Sequence, residues 1–120
     1  MREAYYEQVE NINADLVEVT RLVGSAMNRA TQALLDADLQ LAEAVIDFDA
    51  KVDLLTASID ERCFELIALQ APVATDLRVL LGAMRISSSL ERMGDLAEHV
   101  AKQARMRHPK VSVPQEVRGT

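Results

Sequence analysis

Tryptophan is absent from the 120-residue chain, and aromatic residues make up only 3% of it. With only four glycines and three prolines, the composition lacks the rings and turn formers of sheet proteins and points to packed helices rich in Ala, Leu and Val. A single cysteine excludes an intrachain disulfide. No apolar run reaches the ~18 residues of a membrane span, and no signal-like segment opens the chain, so direct membrane insertion and secretion are not expected. Positive charge is also scarce, with 13 Lys and Arg against 19 Asp and Glu, for a net charge of -6. That balance argues against nucleic-acid binding, which needs a basic footprint to displace counterions from phosphates. A soluble, cytoplasmic protein with cations or basic partners is the expectation.

What is present is a regular apolar pattern. With 49% apolar residues in 120, the chain has material for one substantial core. Tyr5, Val9, Ile12, Leu16, Val19, Val23, Ala26, Ala30, Ala33 and Ala37 alternate at steps of four and three, one stripe on one long helix. The phase is lost at LLDADLQL, where Asp36 and Asp38 can each cap a new helix start. Leu41, Val45, Phe48, Val52, Leu55, Ile59 and Leu66 form a second stripe, with Cys63 near its centre line as a small buried hydrophobe. After a turn centred on residue 71, Pro72 suits the first turn of a third helix. Its stripe is Val79, Ala83, Ile86, Leu90, Met93, Ala97, Val100 and Ala104, and Pro109 ends it. Short turns between long helices predict an all-α, elongated, antiparallel up-down-up three-helix bundle. Residues 1–107 are read as the helical unit and 108–120, with two prolines and no helical phase, as a linker or tail.

A second face of the third helix begins apolar, at Val73, Leu77, Leu80 and Met84, and ends acidic, at Glu91, Asp95 and Glu98. Asp95 lies furthest round, and Ser87, Ser88 and Gly94 are small enough to admit a close neighbour or an ion. On the second helix, Asp49 and Asp53 flank the core stripe. They stand 22 and 18 residues before position 71, while Glu91 and Asp95 stand 20 and 24 after it. In an antiparallel hairpin these pairs share a level. Four carboxylates held together need a counter-charge. A hard cation supplies it, Mg²⁺, Mn²⁺ or Ca²⁺, or iron, whereas no CxxC or HxxxH pattern marks a structural zinc. His99 is a candidate softer ligand beside the set, and Asp60 falls about ten positions off its level. The competing reading is a solvated helix face.

The segment QAPVATDLRVLLGAMRISSSLERMGDLAEHVAK resembles the signature helix of the PhoU family, regulators of the phosphate-specific transport system, which reads close to P-x-A-x-D-L-R followed by E-R-x-G-D. Upstream, MNRATQALLDADLQLAEAVIDFDAKVDLLTASIDERC is similar to the family's preceding hairpin. The resemblance implies an all-helical protein of two tandem three-helix repeats, of which this chain holds the first, completed by an absent second repeat or by self-association as a homodimer. It implies metal ions (Mg, Mn, Fe or Zn) on (E/D)xxxD motifs, carried over to Asp49, Asp53, Glu91 and Asp95. It also implies a cytoplasmic adaptor without catalytic activity, between the phosphate ABC transporter's ATPase subunit and a sensor histidine kinase, repressing phosphate-starvation genes. Two other classes compete. A ferritin-like carboxylate metalloenzyme wants Glu-x-x-His pairs and a fourth helix, and neither is present; a plain helical dimerisation module would bind no metal. Lys102, Arg105, Arg107, His108 and Lys110 gather where cations favour a helix C-terminus or dock an acidic partner. Asp76 and Arg78 are read as fixing a helix start.

Overall fold

Helix α1 runs Arg2–Asp36, α2 Leu39–Gln70 and α3 Ala74–Arg107 in a computed structural model that describes residues 2–109, apart from the Arg2 side chain. Lys110 and the rest of the expected tail lie outside the described residues. At ~1.5 Å rise per residue each helix spans about 50 Å, which sets the long axis of a body measuring 58 × 26 × 16 Å. The two turns are too short to do anything but reverse the chain, and every helix packs on both others.

The turns are built from specific residues. Ala37 enters the left-handed region at φ 53°, and Asp38 then caps α2 by accepting a hydrogen bond from the Leu41 N–H at 3.1 Å. Asp36, the other capping candidate, instead closes α1. The far end of α2 stops at Ala71, also left-handed at φ 43°, whose N–H reaches the Ile67 carbonyl at 3.3 Å. Pro72 does not enter the first turn of α3 as its sequence suggests. Reversing the chain takes Pro72 and an extended Val73 (ψ 165°), so the helix begins at Ala74 and Asp76 supplies the acid of its first turn. At the other end, the His108 ring lies 3.0 Å from the Ala37 carbonyl and ties the end of α3 to the α1–α2 turn.

The α1 stripe packs inward from Tyr5 to Ala33, joined by Leu22. On α2 the buried line is Ala42, Val45, Asp49, Val52, Thr56, Ile59, Cys63 and Leu66, with Phe48 and Leu55 half-buried beside it. The α3 stripe is a partial correction. Ala83, Leu90, Ala97 and Ala104 are buried, but Val79, Ile86 and Met93 are about half exposed. The true line runs through Leu80, Ser87, Gly94 and Ala101. The cause is steric: three helices pressed together along α3 accept Ser and Gly at the points of closest approach, so the larger residues are displaced to the flank.

Two core clusters divide the bundle. Large aliphatics from Ile12, Val19 and Val52 to Ile59 and Leu80 fill one half. Alanines from Ala26, Ala30, Ala33, Ala42, Ala97, Ala101 and Ala104 fill the other, around Val45. The acidic residues lie where the first gives way to the second.

Candidate metal centre

Helices α2 and α3 run antiparallel with Asp49 facing Gly94 and Thr56 facing Ser87, each pair symmetric about the turn at residues 71 and 72. A Cβ on Gly94 would stand 3.3 Å from Asp49 Oδ1 and 3.3 Å from Val52 Cγ1. The glycine therefore lets α3 approach the carboxylate without displacing it. Asp49 is only 8% exposed, although an acid of its size normally stands in water. Its Oδ1 is buried and finds no hydrogen-bond donor among the described residues.

Asp53, one turn further along α2, and Asp95, across the groove on α3, are exposed. Asp49, Asp53 and Asp95 each present an oxygen, and these atoms all lie within 4.8 Å of one another. Burial pushes the Asp49 carboxyl up to about 6, followed by the charges of Asp53, Glu98 and Asp95 and a proton shared with Glu98. Asp53 is likewise raised, by burial first and then by Asp95, Glu91 and Glu98. Each shift marks ionised carboxylates crowded into a partly dry groove. Lys102, 3.5 Å from Glu98, brings a counter-charge at the rim.

Not every residue singled out in the sequence joins this trio. Glu91 is half-buried and stands outside it. The Thr56 hydroxyl lies 3.2 Å from Glu91 Oε2 and 3.1 Å from the Asp53 carbonyl, and its single proton serves one at a time. Ser87, fully buried, donates to the Thr56 carbonyl at 3.3 Å. His99 is exposed and is no part of the trio. Glu98 belongs to the electrostatics of the site, although the level argument had selected only the D-x-x-x-D and E-x-x-x-D pairs; its place on the acidic face was the available signal. Asp60 extends the polar strip toward the α2–α3 turn. Its Oδ1 is buried without a partner, and burial raises its carboxyl, a rise that the Ser87 hydroxyl opposes when its one proton turns from the Thr56 carbonyl to Asp60.

A set of three oxygen donors with a fourth acid beside it suits a hard cation. The donors contain neither thiolate nor imidazole, and no nucleophile with a partner base is present among them. The arrangement is that of a helical bundle with a carboxylate groove on its surface.

Comparison with known proteins identifies which such bundle it is. Residues 16–104 match the family described as the PhoU domain, and the chain belongs to that family. It is 52% identical over 119 residues to the phosphate-specific transport system accessory protein PhoU homolog 2 of Mycobacterium tuberculosis, covering 99% of this chain and 56% of that one. The PhoU homolog of Aquifex aeolicus is 41% identical over 99 residues, 82% of this chain and 45% of that one. The crystal structure of PhoU from Pseudomonas aeruginosa superposes with a TM-score of 0.82 at 33% identity, over 85% of this chain and 49% of that one. The chain spans about half the length of the curated relatives it matches. Their names describe accessory proteins of a transport system rather than enzymes.

Proposed function

We propose that this chain is a regulatory module of a phosphate-specific transport system that works by binding rather than by catalysis, with a cation held at Asp49, Asp53 and Asp95. The observation that carries the cation is Asp49. A buried carboxylate oxygen with no donor is costly to retain, and a positive ion between the three acids removes that cost. Glu98 stands close enough to assist, and Glu91, held by Thr56, borders the groove. The ion supplies charge neutralisation and cross-links α2 to α3; the oxygen-only donor set favours Mg²⁺, Mn²⁺, Ca²⁺ or iron over zinc.

The names of the relatives support a place beside the transporter, and the absence of any helix long and apolar enough to cross a membrane among the described residues fits a cytoplasmic adaptor. Its partners are then the transporter's ATPase subunit and a sensor histidine kinase, and its output is repression of phosphate-responsive genes when phosphate is plentiful. Leu54, Phe64 and Leu69, exposed along α2, support self-association as a homodimer.

Calorimetric titration of the chelator-treated protein with Mn²⁺ or Mg²⁺ tests the cation, and capture of the purified ATPase subunit on the immobilised chain tests the adaptor role. Saturable metal binding that disappears in Asp49→Ala with Asp95→Ala, together with retention of the ATPase subunit, is the expected result. Unchanged metal affinity in that variant ends the site, and no retention at micromolar concentrations ends the adaptor role.

A further inference from the structure

Helix α3 has a second seam, on its outer side, that α1 and α2 leave exposed. Arg78–Val79, Arg85–Ile86 and Arg92–Met93 are three arginine–aliphatic pairs at seven-residue spacing, and His99–Val100 continues the pattern. Val79, Ile86 and Met93 are 46%, 51% and 49% exposed. The three arginines are exposed, and no ion pair among the described residues engages them. Between the two rows lie Gly82, Ser89 and Leu96, again seven apart; a Cβ on Gly82 would meet nothing within 4 Å. In heptad terms the Val79, Ile86 and Met93 row is the a position, the row of Gly82, Ser89 and the exposed Leu96 is d and the arginine row g, sustained over about three heptads. Single exposed apolar residues need no explanation, and α1 exposes large ones only at Tyr6 and Val17. A row in register with a charge at each step is a different object.

We propose that this seam docks an amphipathic helix of another protein, one whose apolar row is edged with Asp or Glu and carries large side chains opposite Gly82 and Ser89. Charge selects the partner. The seam is basic on a chain whose net charge is -6, so acids at the partner's edge meet Arg78, Arg85 and Arg92, which have no ion-pair partner among the described residues. A second copy of α3 does not fit. Antiparallel self-pairing sets the g positions against each other, arginine facing arginine, and parallel self-pairing needs the e positions, where Ala83, Leu90 and Ala97 are already buried in the bundle. The inference rests on neither the acidic groove nor a cation.

The test uses the 120-residue chain and a fluorescent helical peptide of about four heptads, with Leu at a and d and Glu at e and g, which repels itself at neutral pH. Fluorescence anisotropy is expected to show micromolar binding that weakens about tenfold in Arg85→Glu with Arg92→Glu, and by a similar factor in about 0.5 M NaCl. Ile86→Ser with Met93→Ser, at sites already half in water, is expected to abolish binding while the thermal melt stays unchanged. Absence of binding at about 100 µM peptide overturns the proposal, as does an affinity unchanged in the arginine double variant or binding that survives Ile86→Ser with Met93→Ser. Light scattering supplies the remaining arm: a dimer that dissociates on Ile86→Ser assigns the seam to a second copy and also overturns it.

Discussion

Gly94 and Asp49 define the site together: the α3 backbone at Gly94 comes so near that a Cβ there would stand 3.3 Å from Asp49 Oδ1. The carboxylate is thereby kept dry by backbone instead of being covered by a donor. Replacing Gly94 with Ala requires Asp49 and Val52 to give way by a few tenths of an ångström. The expected cost is about 1 kcal/mol of stability, with weaker cation binding. Gly24 has nothing within 4 Å of its would-be Cβ, so Gly24→Ala is expected to gain about 0.5–1 kcal/mol from helix propensity alone. Urea unfolding of both variants separates the local contact from the general effect of removing a glycine.

The stability of the metal-free protein is expected to fall as pH rises from about 4 to 6. Asp49 titrates near 6 when folded and near ~3.9 when unfolded, so the folded state holds the extra proton across that window. Its contribution is therefore greatest at the acid end and is lost once the group ionises. For this buried acid the loss is about 2 kcal/mol. Asp49→Asn is expected to reduce the dependence, leaving the part that the raised carboxyls of Asp53 and Asp60 contribute, which chemical denaturation across that pH range will show.

The sequence sets Asp95 furthest round the acidic face, the member more readily left to water than Glu91, and the structure reverses their order as candidate ligands. Asp95 lies within the trio, whereas Glu91 is held toward Thr56. Asp95→Asn is expected to weaken cation affinity by about tenfold or more, and Glu91→Gln, which can still accept from Thr56, by less than about threefold. Calorimetry on the two variants distinguishes a three-acid centre from a four-acid one.

Ala71 holds a left-handed backbone with a Cβ, at φ 43°. The strain of an L-residue there is about 1–2 kcal/mol, part of which glycine returns as unfolded-state entropy. Ala71→Gly is expected to stabilise the protein by about 0.5–1 kcal/mol. Thermal unfolding will read it as a rise of a few degrees.

The fold was legible because its signals are local. The α1 stripe reads directly from Tyr5 to Ala33, and Asp38 announces the α2 start by its capping chemistry. The hairpin register was legible too: similar distances from residue 71 placed Asp49 and Asp53 within a turn or two of the level of Glu91 and Asp95. What was not legible is which residue yields where helices crowd. Hydropathy draws the α3 core line through Val79, Ile86 and Met93, but the interior has room there only for Ser87 and Gly94. The same displacement creates the outer seam. The fine sorting of the acids, with Glu98 drawn in and Glu91 drawn off by Thr56, depends on side-chain contacts that no periodicity contains.

The most direct test of the cation centre is the shift in melting temperature on adding Mn²⁺ at pH 7, for the wild-type chain and for Asp49→Asn. Without metal the Asn variant is expected to melt higher, because it no longer buries an unpartnered charge. With Mn²⁺ at ~100 times its dissociation constant, the wild type gains ~2.7 kcal/mol, a rise of roughly ten degrees or more for a domain of this size, while the variant gains little. Equal shifts in the two proteins, or none in the wild type, contradict the account.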